Sequence, residues 1–288
     1  MLRRILTAVV LIPAVVAIIW WAPPLVVAAV GTVVLLLAIR EFFALGDRMG
    51  LRAYRGWTML CTVALVYAQW MKGMEVRNAV GFEAELVRNS VGTFSSLEFV
   101  AIVFVFGAAM IAVFSRQAIA EIVPALAMSS AALMFIAFPF SYLIRILENN
   151  DTGRQFVLFT LVLVWAGDML AYFVGCSFGH SHMAPALSPK KTWEGAAANL
   201  AASLVVALLF ARWVRVDGLP LLLVAALANL AGQLGDLLES AYKRGAGAKD
   251  SSALLPGHGG MLDRIDSLIL AAPVVWWGIL WMQTGFRF

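Results

Sequence analysis

Residues 240–266 read Ser240-Ala-Tyr242-Lys243-Arg244-Gly-Ala-Gly-Ala-Lys249-Asp250-Ser-Ser-Ala-Leu-Leu-Pro256-Gly257-His258-Gly259-Gly260-Met-Leu-Asp263-Arg264-Ile-Asp266, between two apolar runs. Cations, carboxylates and flexible backbone gathered in one loop suit a phosphate-bearing ligand and a divalent metal. Lys243, Arg244 and Lys249 supply positive charge, and the glycines let backbone N–H groups approach a phosphate. No Gly-Lys-Ser/Thr follows them, so this is not a Walker loop. His258 between glycines suits a hydrogen bond to phosphate or a proton transfer; a surface histidine in a turn is the alternative.

Asp236 and Asp263 stand at opposite ends of this loop, which can bring them together over a phosphate. Asp263 and Asp266 flank Arg264 before the last apolar run. One suits capping a helix N-terminus, where a carboxylate accepts N–H groups. The other suits a metal, because Mg2+ takes hard oxygens, commonly one or two carboxylates plus substrate phosphates. On a helix, Gln233, Asp236, Glu239, Ser240 and Lys243 share one face at steps of three or four, opposite Leu and Ala. A carboxylate inside a span costs about 2.5–3.5 kcal/mol on insertion scales, a cost usually met by a partner or a function.

A second loop reads Gly179-His180-Ser181-His182-Met-Ala-Pro-Ala-Leu-Ser188-Pro189-Lys190-Lys191-Thr192-Trp193-Glu194-Gly195. Ser188, Lys190, Lys191 and Thr192 offer donors to an anion, or the lysines merely fix topology. His180 and His182 lack a third soft ligand and are read as incidental. Asp168 shares a helical face with Tyr172, Gly175 and Gly179. It is either a third carboxylate of the site or a buried hydrogen-bonding group.

The elements that must position these groups are apolar helices. Of 288 residues 62% are hydrophobic and 13% charged, and mean hydropathy is +0.88; this composition belongs to the membrane class. With a spanning helix needing roughly 20 apolar residues, about nine spans are expected, near 5–22, 24–45, 57–72, 99–114, 118–144, 156–178, 195–214, 219–240 and 266–284. Residues 5–22 read as a retained first span rather than a cleaved leader. The longest polar segment, about 73–98, is too short for a soluble domain. Cys61 and Cys176 lie in apolar runs and read as buried small hydrophobes. Residues 1–160 read as N-terminal scaffold helices, with Arg40-Glu41 as an interfacial anchor at the end of a span. Residues 161–288 read as the catalytic region with loops 179–195 and 240–266. With the N-terminus inside, thirteen of the 21 Lys and Arg fall on the cytoplasmic side, which the positive-inside rule favours. Both motif-rich loops then share that side.

The Ser240–Asp266 stretch closely resembles the signature of CTP:phosphatidate cytidylyltransferases, the CDP-diacylglycerol synthases. The match rests on Ser240, Lys243-Arg244, Lys249-Asp250, Ser252, Leu255-Pro256, His258-Gly259-Gly260 and Asp263-Arg264-Ile265-Asp266; Tyr242 departs from the aliphatic residue or Phe of the family. Ser188 to Gly195 resembles a second family motif, and Gly167-Asp168 with Tyr172 and Gly175 a looser third. The resemblance covers about residues 165–270. It implies an all-α polytopic membrane enzyme with a cytoplasmic-face active site, multi-pass in a bacterial-type inner membrane and homodimeric. CTP and phosphatidic acid would give CDP-diacylglycerol and pyrophosphate. It implies Mg2+, with a potassium-like monovalent ion nearby, at Asp236 and Asp263. It also implies phosphate-holding roles for Lys243, Arg244, Lys249 and Arg264, binding roles for Ser188, Lys190, Lys191, Thr192, Ser240 and Asp168, and a catalytic setting that includes Asp250 and His258. No nucleic-acid partner is expected. A carrier lined by Asp168, Asn199, Asn229 and Asp236 is one rival reading, and it has no need of a basic, glycine-rich loop; a CDP-alcohol or polyprenyl-phosphate transferase and an inactive scaffold of the same family are the others.

Overall fold

The computed structural model describes residues 2–78, 96–149, 152–254 and 259–284. Most of the polar segment 73–98 and His258, with its neighbours 255–257, lie outside them. Among the described residues, helical rods follow one another along the chain. They are α1 (Leu2–Trp21), α2 (Pro24–Arg48), α3 (Arg55–Asn78), α4 (Ser96–Phe114) and a composite rod of α5 (Ile119–Ala131), a π-helical turn (Ala132–Ala137) and α6 (Phe138–Leu147). After these come α7 (Gly153–Phe178), α8 (Trp193–Val214), α9 (Gly218–Gly245) and α10 (Leu262–Thr284). Seven of these rods are long and apolar enough to cross a membrane, and the chain is an all-α multi-pass membrane protein. The other two of the nine expected spans are helices at the expected places. The apolar part of α1 is the short stretch Val9–Trp21, and α3 carries Gln69, Lys72, Glu75 and Arg77 in its second half.

Local chemistry sets the boundaries. Pro24 opens α2 at a position that needs no N–H. Pro139, which has no N–H to give, follows the π-helical turn and fits a locally widened helix there. The Thr192 side chain caps α8 by accepting the Gly195 N–H at 3.2 Å. Between α7 and α8 lies an antiparallel hairpin, β1 (His182–Ala184) and β2 (Ser188–Thr192), with His182 opposite Thr192 and Ala184 opposite Ser188. The sequence pattern alone marks this segment only as a loop.

The hydrophobic core is continuous from α2 and the π-helical turn through α7 to α10, and it includes Leu35, Ile39, Phe43, Ile136, Leu163, Leu221, Val275 and Ile279. Leu219, Leu223, Leu227, Leu230 and Leu234 form the exposed stripe of α9, and the polar face carrying Glu239 and Ser240 turns inward. Cys61 is buried as expected, whereas Cys176 faces outward from α7. The α2–α3 link, the hairpin and the α9–α10 loop share one end of the bundle. Phe42 packs edge-on against Tyr242 with centroids 5.0 Å apart, and Arg244 Nε donates to Leu187 O at 3.1 Å. At the opposite end Trp20 stacks on Trp213, and Arg154 reaches the α1 carbonyls.

A tight helix pair positions the site. α9 lies against α10 because its contact face carries Gly232 and Gly235. A Cβ on Gly235 would stand 2.5 Å from the Asp266 carbonyl oxygen, and one on Gly232 would stand 3.3 Å from that of Ser267. Small residues let membrane helices approach this closely. Gly235→Ala is therefore expected to push the two backbones apart and to lower stability by about 1–3 kcal/mol. Thermal unfolding of the purified protein in detergent reads this, and an unchanged midpoint would show that the helix pair yields freely.

Candidate active site

Helix period and helix proximity together gather the acids. Asp236 and Glu239 lie one turn apart on the inward face of α9, and Asp266 lies one turn into α10. Their carboxylate oxygens come within 4.8 Å of one another. Two lysines face them. Lys191 Nζ, from β2, lies 2.6 Å from Asp236 Oδ2. Lys243 Nζ lies 2.6 Å from Asp263 Oδ1 and also pairs with Glu239, and these three side chains are 13%, 6% and 3% exposed respectively. Strand alternation separates the two adjacent lysines: Lys191 turns in, and Lys190 is exposed.

Asp263 is held by the loop's donors rather than by the first N–H groups of α10. Its Oδ2 accepts Gly260 N at 2.7 Å, Ser251 N at 2.9 Å and Ser251 Oγ at 2.8 Å, while Oδ1 takes Lys243. The resulting turn needs Gly259 at φ +77°, a left-handed conformation that glycine adopts without strain. Asp236 thus enters the acid cluster directly, and Asp263 stands beside it, joined through Lys243. Asp266 and Glu239 complete the cluster.

The remaining expected residues fall into three groups. Lys249, Asp250, Lys190 and Arg264 are exposed at the loop end of the bundle. Arg244 is spent on main-chain carbonyls, donating to Leu187 O and, at 3.1 Å, to Ala248 O, so it ties the hairpin to the loop. Thr192 is buried at the α8 cap, Ser240 is buried on α9, and Ser188 is half-buried at the start of β2. Asp168 accepts Asn199 Nδ2 at 3.2 Å. It begins a polar chain running inward, in which Asn229 donates to Asn199 and, at 2.7 Å, to Ser203, and Gln233 donates to Asn229 at 2.7 Å. Asp168, Asn199, Asn229 and Gln233 line one small cavity. Of the two histidines read as incidental, both are exposed on or beside the hairpin.

Glu41, read from sequence as an interfacial anchor, is buried against the signature loop. Its Oε1 accepts Ser252 Oγ at 2.6 Å and Met261 N at 2.9 Å; its Oε2 accepts Ser251 Oγ at 2.9 Å and Leu262 N at 2.8 Å. The only local signal in the sequence is a carboxylate between Arg40 and the apolar pair Phe42-Phe43.

The donor set fits a hard divalent cation. Carboxylate oxygens on opposite sides of one Mg2+ are about 4.1 Å apart, so three oxygens already within 4.8 Å need only small side-chain adjustments. Lys191 on Asp236 would have to move aside for it.

The cytidylyltransferase family profile matches residues 2–281. The phosphatidate cytidylyltransferase of Bacillus subtilis is 40% identical over 147 residues, 50% of this chain and 55% of that protein. That of Brucella abortus is 41% identical over 150 residues, 51% of this chain and 55% of that protein. That of Haemophilus influenzae is 46% identical over 129 residues, 42% of this chain and 44% of that protein. The chain spans about half the length of the curated relatives it matches.

The ion pairs make a direct stability prediction. Lys243→Met leaves Glu239 and Asp263 buried without their cation, which is expected to cost about 3 kcal/mol or more. Adding Glu239→Gln is expected to recover part of that loss. The thermal midpoints of the single and double variants in detergent measure both effects, and additive losses would mean that the Lys243–Glu239 pair contributes nothing.

Proposed function

The chain belongs to the cytidylyltransferase family, and from that membership we propose that it joins CTP to phosphatidic acid, releasing pyrophosphate and forming CDP-diacylglycerol. What supports the reading most is the junction of Asp236, Glu239 and Asp266 with Lys191 and Lys243 under a basic loop at the end of an apolar bundle. There a soluble triphosphate can meet a lipid headgroup.

An oxygen of the lipid phosphate attacks the α-phosphorus of CTP in line. The new P–O bond forms as the bond between the α-phosphorus and the β-phosphate oxygen breaks, and pyrophosphate leaves with that electron pair. A phosphate monoester is already anionic near neutral pH, so positioning and charge stabilisation do most of the work. The exposed Lys190, Lys249 and Arg264 draw the triphosphate to the loop. Lys191 and Lys243 transfer N–H bonds from carboxylates to phosphate oxygens as substrate enters. We assign Mg2+ to Asp236 with Asp266 and Glu239, joined by Asp263 once Lys243 turns to phosphate; when bound it neutralises charge on the transferring phosphoryl group. A potassium-like ion beside it is part of the same assignment. Asp168 holds the polar wall of the site through Asn199. Homodimerisation and a cytoplasmic-membrane location with the N-terminus and both loops inside complete the proposal. The lysine and arginine bias supports the orientation.

Purified protein in detergent, given phosphatidic acid and radiolabelled CTP, is expected to move label into the chloroform phase. Chelation of Mg2+ and the substitution Asp236→Asn are each expected to lower the rate roughly 10²-fold or more. Folded wild-type protein that makes no labelled lipid would refute the reaction.

A further inference from the structure

We infer that Glu41, on α2 of the N-terminal half, is a positioning residue for the catalytic loop; the inference deepens the reaction proposed above and rests on it. Four donors converge on one buried carboxylate. Met261 N and Leu262 N are among the first N–H groups of α10, which no helical carbonyl can accept. A negative charge there also suits the positive end of the helix. The other two donors, the Ser251 and Ser252 hydroxyls, come from the loop itself. One side chain from α2 therefore fixes both the start of α10 and the segment that crosses above the acid cluster.

The link continues to the chemistry. Ser251 Oγ stands 2.9 Å from Glu41 Oε2 and 2.8 Å from Asp263 Oδ2. Its single proton serves one carboxylate at a time, so the hydroxyl couples the two acids. Asp263 in turn holds Lys243, and Lys243 reaches Glu239. Glu41 thus ends a continuous chain of polar contacts that runs from α2 to the acid cluster. Gly260 leaves the room for it, since a Cβ there would overlap Ser251 Oγ and the Glu41 carboxylate.

Only a carboxylate satisfies this geometry, because Oε1 accepts Ser252 Oγ and Met261 N while Oε2 accepts Leu262 N and shares the Ser251 proton with Asp263. Glutamine keeps the shape but turns an NH2 group toward N–H donors. Glu41→Gln is therefore expected to lower kcat roughly 10- to 100-fold per folded molecule through displacement of the site, with KM for CTP within about threefold of wild type. Gly260→Ala moves the same carboxylate without removing its charge and should act in the same direction. Hydrogen–deuterium exchange supplies a readout independent of turnover: the Met261 and Leu262 amides should exchange at least about tenfold faster in Glu41→Gln. A Glu41→Gln protein with wild-type kcat per folded molecule overturns the proposal, even if it unfolds more easily. Should wild-type protein make no liponucleotide, the reaction falls and exchange alone decides: faster exchange keeps Glu41 as the loop anchor, and unchanged exchange removes it.

Discussion

Lys243 is the charge on which the arrangement depends. Glu239 and Asp263 are almost wholly buried between α9 and α10, where an uncompensated carboxylate is strongly disfavoured. One ammonium group between them lets both remain in place. That bridge fixes the register of α9 against α10, because Lys243 and Glu239 come from one helix and Asp263 from the other. It also requires the helices to be close, which Gly232 and Gly235 permit. Lys191 repeats the device from the hairpin side by meeting Asp236.

From this constraint follows a site assembled from segments far apart in sequence. The hairpin is held to the α9 end by Arg244, whose guanidinium reaches Leu187 O and Ala248 O. The loop is held from the other side by Glu41 of α2, and Phe42 packs α2 against Tyr242 near the end of α9. The helices before residue 160 and those after it share one core, so displacement of α2 would be felt at Asp263. The polar chain from Asp168 through Asn199 and Asn229 to Gln233 gives α7, α8 and α9 a common set of hydrogen bonds where lipid offers none.

Much of this was legible in the sequence, for identifiable reasons. Apolar run length fixed where the helices fall, and the three-to-four spacing of Gln233, Asp236, Glu239 and Lys243 showed the inward face of α9. What stayed hidden depends on contacts between distant segments. Asp263 and Asp266 were equivalent candidates for cap and ligand until the turn at Gly259-Gly260 gave Asp263 the backbone donors. Lys190 and Lys191 are chemically identical neighbours, and only strand alternation aims the second at Asp236. Thr192 offers a hydroxyl on paper, but it lies within the α8 cap. Glu41 is some 210 residues from Ser251, and no local pattern distinguishes it from a carboxylate at a membrane surface.

The balance of charge explains why such a site suits an exchange of ions. Counted as ionised, Asp236, Glu239, Asp263 and Asp266 face Lys191 and Lys243, leaving a formal charge two short of neutral. A divalent cation would offset that deficit, and in the proposed reaction each ammonium group could then share its N–H donors with phosphate oxygens while staying beside its carboxylate. In the proposed reaction an entering triphosphate would meet ammonium groups that are already partly desolvated, so the lysines themselves would add little desolvation cost on binding. Because the surroundings are apolar helices, each exchanged pair acts in a medium that screens it weakly. On this argument the acids do not merely tolerate the lysines: they hold two ammonium groups in place, as the proposed phosphate-bearing substrates would require.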